Sequence, residues 1–541
     1  SLEPADIGEG APTGTVTVVL PCYMGQAELE LTFAGLAHQT YPSHLLEVVV
    51  VDDGSAPPIV VPAGAPFTAT VVAQQRDGFG LARARNLGAA RASGEILVFL
   101  DCDMIPEPQL VEAHARWHHV DDRLLTVGFR HHADFDGITA EALRSAGGPA
   151  EAIVGREVTS PEWIESHMRR THNLTSADTD LFRVASGGNL GVCREFFHAV
   201  GGCDPSFRQW GGEDIEFGFR TFNWGGVLVP EREAVAWHQG AGAAPDPAEK
   251  ASQVEQRHKL SHLVAERTFR RSRPGRSFQV PFVTVAVNSS EQTFDEAAEQ
   301  IDGVLASAFH DLVVGLWVPE RHPERVQLER QYGPDHRVLL SRDLLADVPH
   351  AAVRLEIPPR VRLSPTSIDS LLRGLEGFGL VRVDLKEFGE IRMARTRALR
   401  RAIHAGAEDP WSAAGELFGE RTMAQNAVGL TVIAADHRSG FTVSEASNPW
   451  WLLVVTMVRK IVAIRSLADL VTVIRGGVWA MGDLARRDQL ARRQRRRERK
   501  VSKKTGRSTL FVPGWAQIVP GWAQIVGDPD HLPGAAPWSD R

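Results

Sequence analysis

Leu45-Leu-Glu-Val-Val-Val-Val-Asp-Asp-Gly-Ser55 and, further along, Ile96-Leu-Val-Phe-Leu-Asp-Cys-Asp103 decide how this chain folds. Each is a short run of aliphatic and β-branched residues that ends abruptly in carboxylates, the pattern of a buried strand running into a polar loop. Upstream, Thr15-Val-Thr-Val-Val-Leu20 reads as a first strand, and Ala27 to Ala37 is compatible with a helix between it and Leu45–Val51. Val71 to Gln74, a helix from Gly80 to Ala92 and the strand Ile96–Leu100 continue the alternation. Strand, helix, strand in this rhythm predicts an α/β fold with a mostly parallel central sheet, Rossmann-like in layout. Both acidic clusters then fall just past strand carboxyl ends, the edge where open α/β sheets hold their ligands.

A linker is expected near Pro274-Gly275-Arg276. Beyond it, Phe282–Val287, a helical stretch and Leu312–Val318 repeat the opening layout, and Val283-Thr-Val-Ala-Val-Asn288 loosely parallels Val16-Thr-Val-Val-Leu-Pro21. The organisation expected is a flexible start (1–14), a first α/β domain (15–275) and a second, degenerate or otherwise accessory α/β domain (277–445). An amphipathic helical segment (446–485) and a basic, disordered tail (486–541) follow. The second domain shows neither Asp-Asp-Gly-Ser nor an Asp-x-Asp after a strand. The heptapeptide Pro-Gly-Trp-Ala-Gln-Ile-Val occurs in tandem from Pro513 and from Pro520, and two copies are too few for a solenoid.

Composition narrows the class. At 541 residues and 43% hydrophobic the chain can bury more than one core. Net charge is −8, yet Arg486 to Arg507 holds twelve Lys and Arg against Asp488 and Glu498, which leaves −18 on the remainder. A strongly basic tail thus follows an acidic body, and with the flanking segment around Trp450 and Trp451 it suggests docking on an anionic lipid surface rather than on nucleic acid. Four cysteines without CxxC spacing fit a reducing compartment and no structural zinc. Ser1 to Gly14 lacks the form of a secretory signal, and no window is apolar for the length of a spanning helix. The expected location is cytoplasmic and peripheral, at the inner face of the plasma membrane.

The chemistry suggested is sugar transfer from a nucleotide donor. A departing diphosphate needs its charge neutralised, and a hard divalent cation, Mg²⁺ or Mn²⁺, wants carboxylate oxygens. Asp101 and Asp103 at the end of a buried strand can supply them. Asp52 and Asp53 end the other strand where a carboxylate can accept from a base N–H, and Pro21 and Tyr23 can wall the same pocket. Arg83 and Arg85, at the start of a helix, can reach phosphate.

The succession Pro-Cys-Tyr, Val-Asp-Asp-Gly-Ser, Gly-Leu-Ala-Arg-Ala-Arg-Asn-Leu-Gly and Phe-Leu-Asp-Cys-Asp, all within residues 21 to 103, resembles the family 2 glycosyltransferases of GT-A fold. Ser186-Gly-Gly-Asn189-Leu, Gly201-Gly-Cys-Asp204 and Trp210-Gly-Gly-Glu213-Asp214-Ile-Glu216 are similar to the acceptor-side segment of galactosyl- and N-acetylgalactosaminyltransferases and chondroitin-type polymerases. The resemblance implies an inverting transfer in which Asp214 is the general base and Glu213 orients the acceptor. It implies acceptor contacts from Asn189, Trp210, Gly211 and Gly212, and a third metal ligand in His238. Partners would be a nucleotide-sugar, UDP-linked, and a glycan or glycolipid acceptor. The spanning helices and Gln-x-x-Arg-Trp motif of membrane-embedded processive synthases are missing, which argues against cellulose- or hyaluronan-type synthesis. Two other readings compete: a silent scaffold whose basic tail binds lipid or nucleic acid, and a nucleotidyltransferase. The latter would carry a Gly-rich phosphate loop where this chain has Pro21-Cys-Tyr-Met-Gly25.

Overall fold

The computed structural model describes residues 3–9, 12–240, 247–270 and 276–433. The amphipathic segment, the basic tail and the tandem heptapeptide lie outside the described residues. So do the lipid and nucleic-acid contacts ascribed to them.

Two large sheets organise what is described. The first has nine strands: β1 (Val16–Cys22), β2 (Leu46–Asp52), β3 (Thr68–Ala73), β4 (Ile96–Leu100), β5 (Met104–Pro106), β6 (Leu124–Ala133), β7 (Val158–Thr159), β8 (Asn189–Cys193) and β9 (Val227–Gln239). Their order is β3-β2-β1-β4-β8-β6-β9-β5, with β7 on the side of β6. The run β3-β2-β1-β4 is parallel; β8 then lies antiparallel between β4 and β6, and β9 returns parallel to β6.

All seven residues of β1 and all five of β4 are buried, because helices cover both faces. Val18, Leu20, Val48, Val50 and Val98 pack with Leu29 and Phe33 of the helix Gln26–Leu36. The alternate residues Val19, Val49, Val51, Leu97 and Phe99 pack on the other face, where the helix Leu81–Arg91 lies. Two-sided burial is why these strands read as continuous apolar runs instead of alternating ones. Their parallel direction brings Cys22, Asp52 and Leu100, the last residues of β1, β2 and β4, to one edge.

The second sheet contains β10 (Val283–Asn288), β11 (Leu312–Trp317), β12 (Val338–Leu340), β13 (Val353–Ile357), β15 (Leu380–Asp384), β16 (Glu390–Arg395) and β17 (Glu420–Thr422). A separate pair, β14 (Val361–Leu363) and β18 (Leu430–Val432), is antiparallel. The α/β class with a second sheet-bearing region agrees with the sequence reading. Buried side chains of both sheets join in one continuous apolar cluster that takes in Phe182, Phe222 and Phe282.

Candidate active site

The site grows from the carboxyl edge of β1, β2 and β4. Asp52 is buried and its oxygens accept from the backbone N–H of Ser55 (2.8 Å) and Ile59 (3.2 Å), which shapes the turn after β2. Asp53, also buried, accepts from Gln74 Nε2 at 2.6 Å, Arg76 Nη1 at 2.9 Å and the Gly80 N–H at 3.1 Å. Arg76 in turn lies 3.3 Å from the centroid of the Tyr23 ring, which is exposed beside Pro21. Gln74 and Arg76 were not singled out from the sequence. Only their position just after β3, level with Asp53, could have drawn attention to them.

The two arginines of the helix Leu81–Arg91 part company. Arg83 is half-buried, donates to the Gln75 carbonyl at 3.3 Å and stands 3.8 Å from Asp77. Arg85 is 2% exposed, and its guanidinium spans two acids, with Asp101 Oδ1 at 3.2 Å and Glu213 Oε1 at 3.1 Å. It therefore ties the loop after β4 to the helix Glu213–Asn223, rather than standing open to a phosphate. Gly187 and Gly188 make room for this knot: a Cβ on Gly187 would collide with the Arg85 guanidinium, and one on Gly188 would sit 2.6 Å from Asp101 Oδ2.

On the other flank, β5 pairs with β9 in the register Met104↔His238. That pairing sets His238 Nε2 3.3 Å from Asp103 Oδ2 and beside the ring of His132, at 4.8 Å between centroids. The bond to Asp103 raises the His238 pKa, and burial, helped by His238, pushes His132 down to about 4. Asp101 is raised by burial, a push that Arg85 opposes and Asp103 reinforces. Asp101, Asp103 and His238 carry the O,O,N donor types that Mn²⁺ or Mg²⁺ takes. His238 Nδ1 and Glu213 Oε2 are buried without a partner. Asp101 is nevertheless drawn toward Arg85, and among the described residues no three such side chains converge on one point.

The acceptor-side residues open the helix Glu213–Asn223. Gly211 and Gly212 both take φ of +94°, a left-handed turn that a Cβ would disfavour, and this lets the chain swing sharply into the helix. Trp210 before them is 44% exposed. Glu213 is buried, and its pKa is pushed up to about 7 by burial and by Asp214, against the pull of Arg85. Asp214 is more open; its Oδ2 accepts from the Gly187 N–H at 3.2 Å and its Oδ1 from the Ile215 N–H at 2.8 Å. Asn189, in contrast, faces inward. It bonds His114 Nε2 at 2.8 Å and donates to the carbonyls of Phe129 and Ala234, so its amide is spent joining β8, β6 and β9.

Residues 17–200 match the model of glycosyl transferase family 2, and residues 175–230 that of the N-terminal domain of galactosyltransferase. Residues 17–200 have the sequence of a family 2 glycosyltransferase domain. The chondroitin synthase of Pasteurella multocida (strain Pm70) is 31% identical to the chain over 240 residues, 41% of this chain and 24% of that protein. The hyaluronan synthase of Pasteurella multocida is 29% identical over 240 residues, again 41% and 24%. The validoxylamine A glucosyltransferase of Streptomyces hygroscopicus subsp. limoneus is 31% identical over 236 residues, 40% and 50%. The chain thus spans between a quarter and a half of the length of these relatives. No helix among the described residues is long and apolar enough to cross a membrane.

Proposed function

We propose that the glycosyltransferase domain moves a sugar from a nucleotide-sugar, UDP-linked, onto a hydroxyl of a glycan or glycolipid acceptor, with inversion. One observation carries this reading: Arg85 joins Asp101, in the loop after β4, to Glu213, the residue before Asp214, so donor-side and acceptor-side carboxylates meet at one sheet edge. A divalent cation held by Asp101, Asp103 and His238 would supply charge stabilisation to the departing diphosphate.

The chain's own groups do the rest. Asp53 and Tyr23 border the nucleoside end, with Arg76 fixing both. Asp214 is the less buried of the two acids at the helix start, and its carboxylate is placed to accept the hydroxyl proton as the new bond forms. Glu213, held by Arg85 and with Oε2 free, orients that hydroxyl.

The test is Asp214→Asn. Transfer should fall by roughly 10² to 10⁴-fold, the contribution of a general base, while UDP binding with Mn²⁺, measured by calorimetry, stays within about twofold. Near-normal turnover would remove Asp214 from the mechanism.

A further inference from the structure

Seven strands of the first sheet recur in the same order in the second. The second runs β12-β11-β10-β13-β16-β15-β17, where the first runs β3-β2-β1-β4-β8-β6-β9, and each neighbouring pair has the same relative direction. The registers agree as well. Val16 lies opposite Leu46 and Ile96, and Ile96 opposite Cys193. Val283 lies opposite Leu312 and Val353, and Val353 opposite Arg395. Cys193 and Arg395 each lead into a helix, at φ, ψ of −63°, 135° and −67°, 133°.

Counting along these registers, Asp101-Cys102-Asp103 falls on Pro358-Pro359-Arg360, and Asp52-Asp53 on Val318-Pro319. The loop that is acidic in one sheet is therefore cationic in the other. It is also filled from within: Arg360 pairs with Glu296 at 2.9 Å, and the buried Gln300 donates to the Pro358 carbonyl at 2.8 Å. The two carboxylates that would hold a donor's divalent cation are therefore missing at the matched positions.

What this second sheet does offer is a basic helix, Thr396–His404, laid against the carboxyl end of the helix Glu213–Asn223. His404 Nε2 bonds the Trp224 carbonyl at 3.0 Å and Arg401 donates to that of Gly225 at 3.4 Å. Arg397 and Arg400 each stand 4.1 Å from an aromatic centroid, Phe222 and Trp224 in turn. Asn223 Nδ2 donates to the carbonyls of His350 (2.9 Å) and Ala351 (3.0 Å). Cations at a helix carboxyl end are held by its dipole and its unpaired carbonyls.

We propose that the second sheet is a donor-silent repeat of the first, kept as a brace that fixes the helix bearing Glu213 and Asp214. The inference rests on the role proposed for Asp214. Eleven residues of helix span about 16 Å, so a tilt of about 4° at the clamped end shifts the other end by roughly 1 Å. A misplacement of that size can cost about 10²-fold in rate. His404 and Arg401 are positioning residues on this account, remote from the reacting atoms.

The test uses the full chain carrying His404→Ala with Arg401→Ala, and His404→Gln, whose amide can still donate to the Trp224 carbonyl. For the double variant we expect turnover reduced about 10- to 100-fold, UDP–Mn²⁺ affinity within about twofold, and faster amide exchange over residues 213–223. His404→Gln on its own should keep most of the turnover of the unmodified chain. Unchanged turnover, or a loss matched by an equal loss of nucleotide affinity, overturns the brace. If the unmodified chain releases UDP from no donor, the functional reading is what fails; amide exchange then judges the brace, and unaltered protection over 213–223 overturns it.

Discussion

After its fourth strand the first sheet carries Asp101-Cys102-Asp103, with Arg85 and His238 drawn up to the two acids. At the matching register the second sheet carries Pro358-Pro359-Arg360, and Arg360 turns to Glu296. The framework around the two loops has the same strand order and direction. What separates the candidate site from its counterpart includes the acids at two strand ends, Asp52-Asp53 against Val318-Pro319 and Asp101-Cys102-Asp103 against Pro358-Pro359-Arg360. In this molecule the two loops differ while the strand order that carries them is shared.

The comparison can be broken most forcefully at Asp103. Asp103→Ala should weaken Mn²⁺-dependent UDP binding by at least about tenfold, the scale of losing one ligand or its partner; unchanged affinity by calorimetry would leave the first loop no different in kind from the second.

A smaller effect sharpens it at Glu213. Its pKa in the folded chain is raised to about 7 from an ordinary 4.5, because burial and Asp214 oppose its charge. Its contribution to stability is thus complete below about pH 4.5 and is lost as pH rises through about 7. Glu213→Gln, which keeps a neutral side chain at all pH, should flatten that part of the melting-temperature profile in metal-free buffer. A profile parallel to that of the unmodified chain would mean that folding leaves the Glu213 pKa at its ordinary value.

The smallest effect is expected in the second sheet. Arg360→Ala should leave transfer within about twofold and shift melting only modestly, since a partly exposed ion pair contributes about 1 kcal/mol or less. A large drop in transfer would show that this loop takes part in the chemistry after all.

Much of this was legible in the residues. The mostly apolar runs of β1, β2 and β4 announced strands buried on both faces, and the acids at the ends of β2 and β4 marked the edge where ligands gather. Glu213 and Asp214, quoted as one acidic pair, do open a single helix. What could not be read was long-range pairing. Nothing near Arg85 in sequence says that it is buried against Glu213, because that contact depends on how the helix Leu81–Arg91 meets a segment 128 residues away. The same holds for His238, brought to Asp103 by the register of β5 on β9. Asn189 sits in a motif, yet its polarity serves three strands instead of the crevice. The repetition of strand order was only hinted at by Val283–Asn288, since the second sheet keeps the apolar periodicity of the first but none of its acids.

The central claim is that the first sheet's edge is a metal-dependent sugar-transfer site. Its most direct test is UDP release from a panel of UDP-sugars by the full chain, with Mn²⁺ and with excess EDTA. The account predicts release from at least one donor that EDTA abolishes. No release from any donor, together with no binding of UDP in the presence of Mn²⁺, would contradict it.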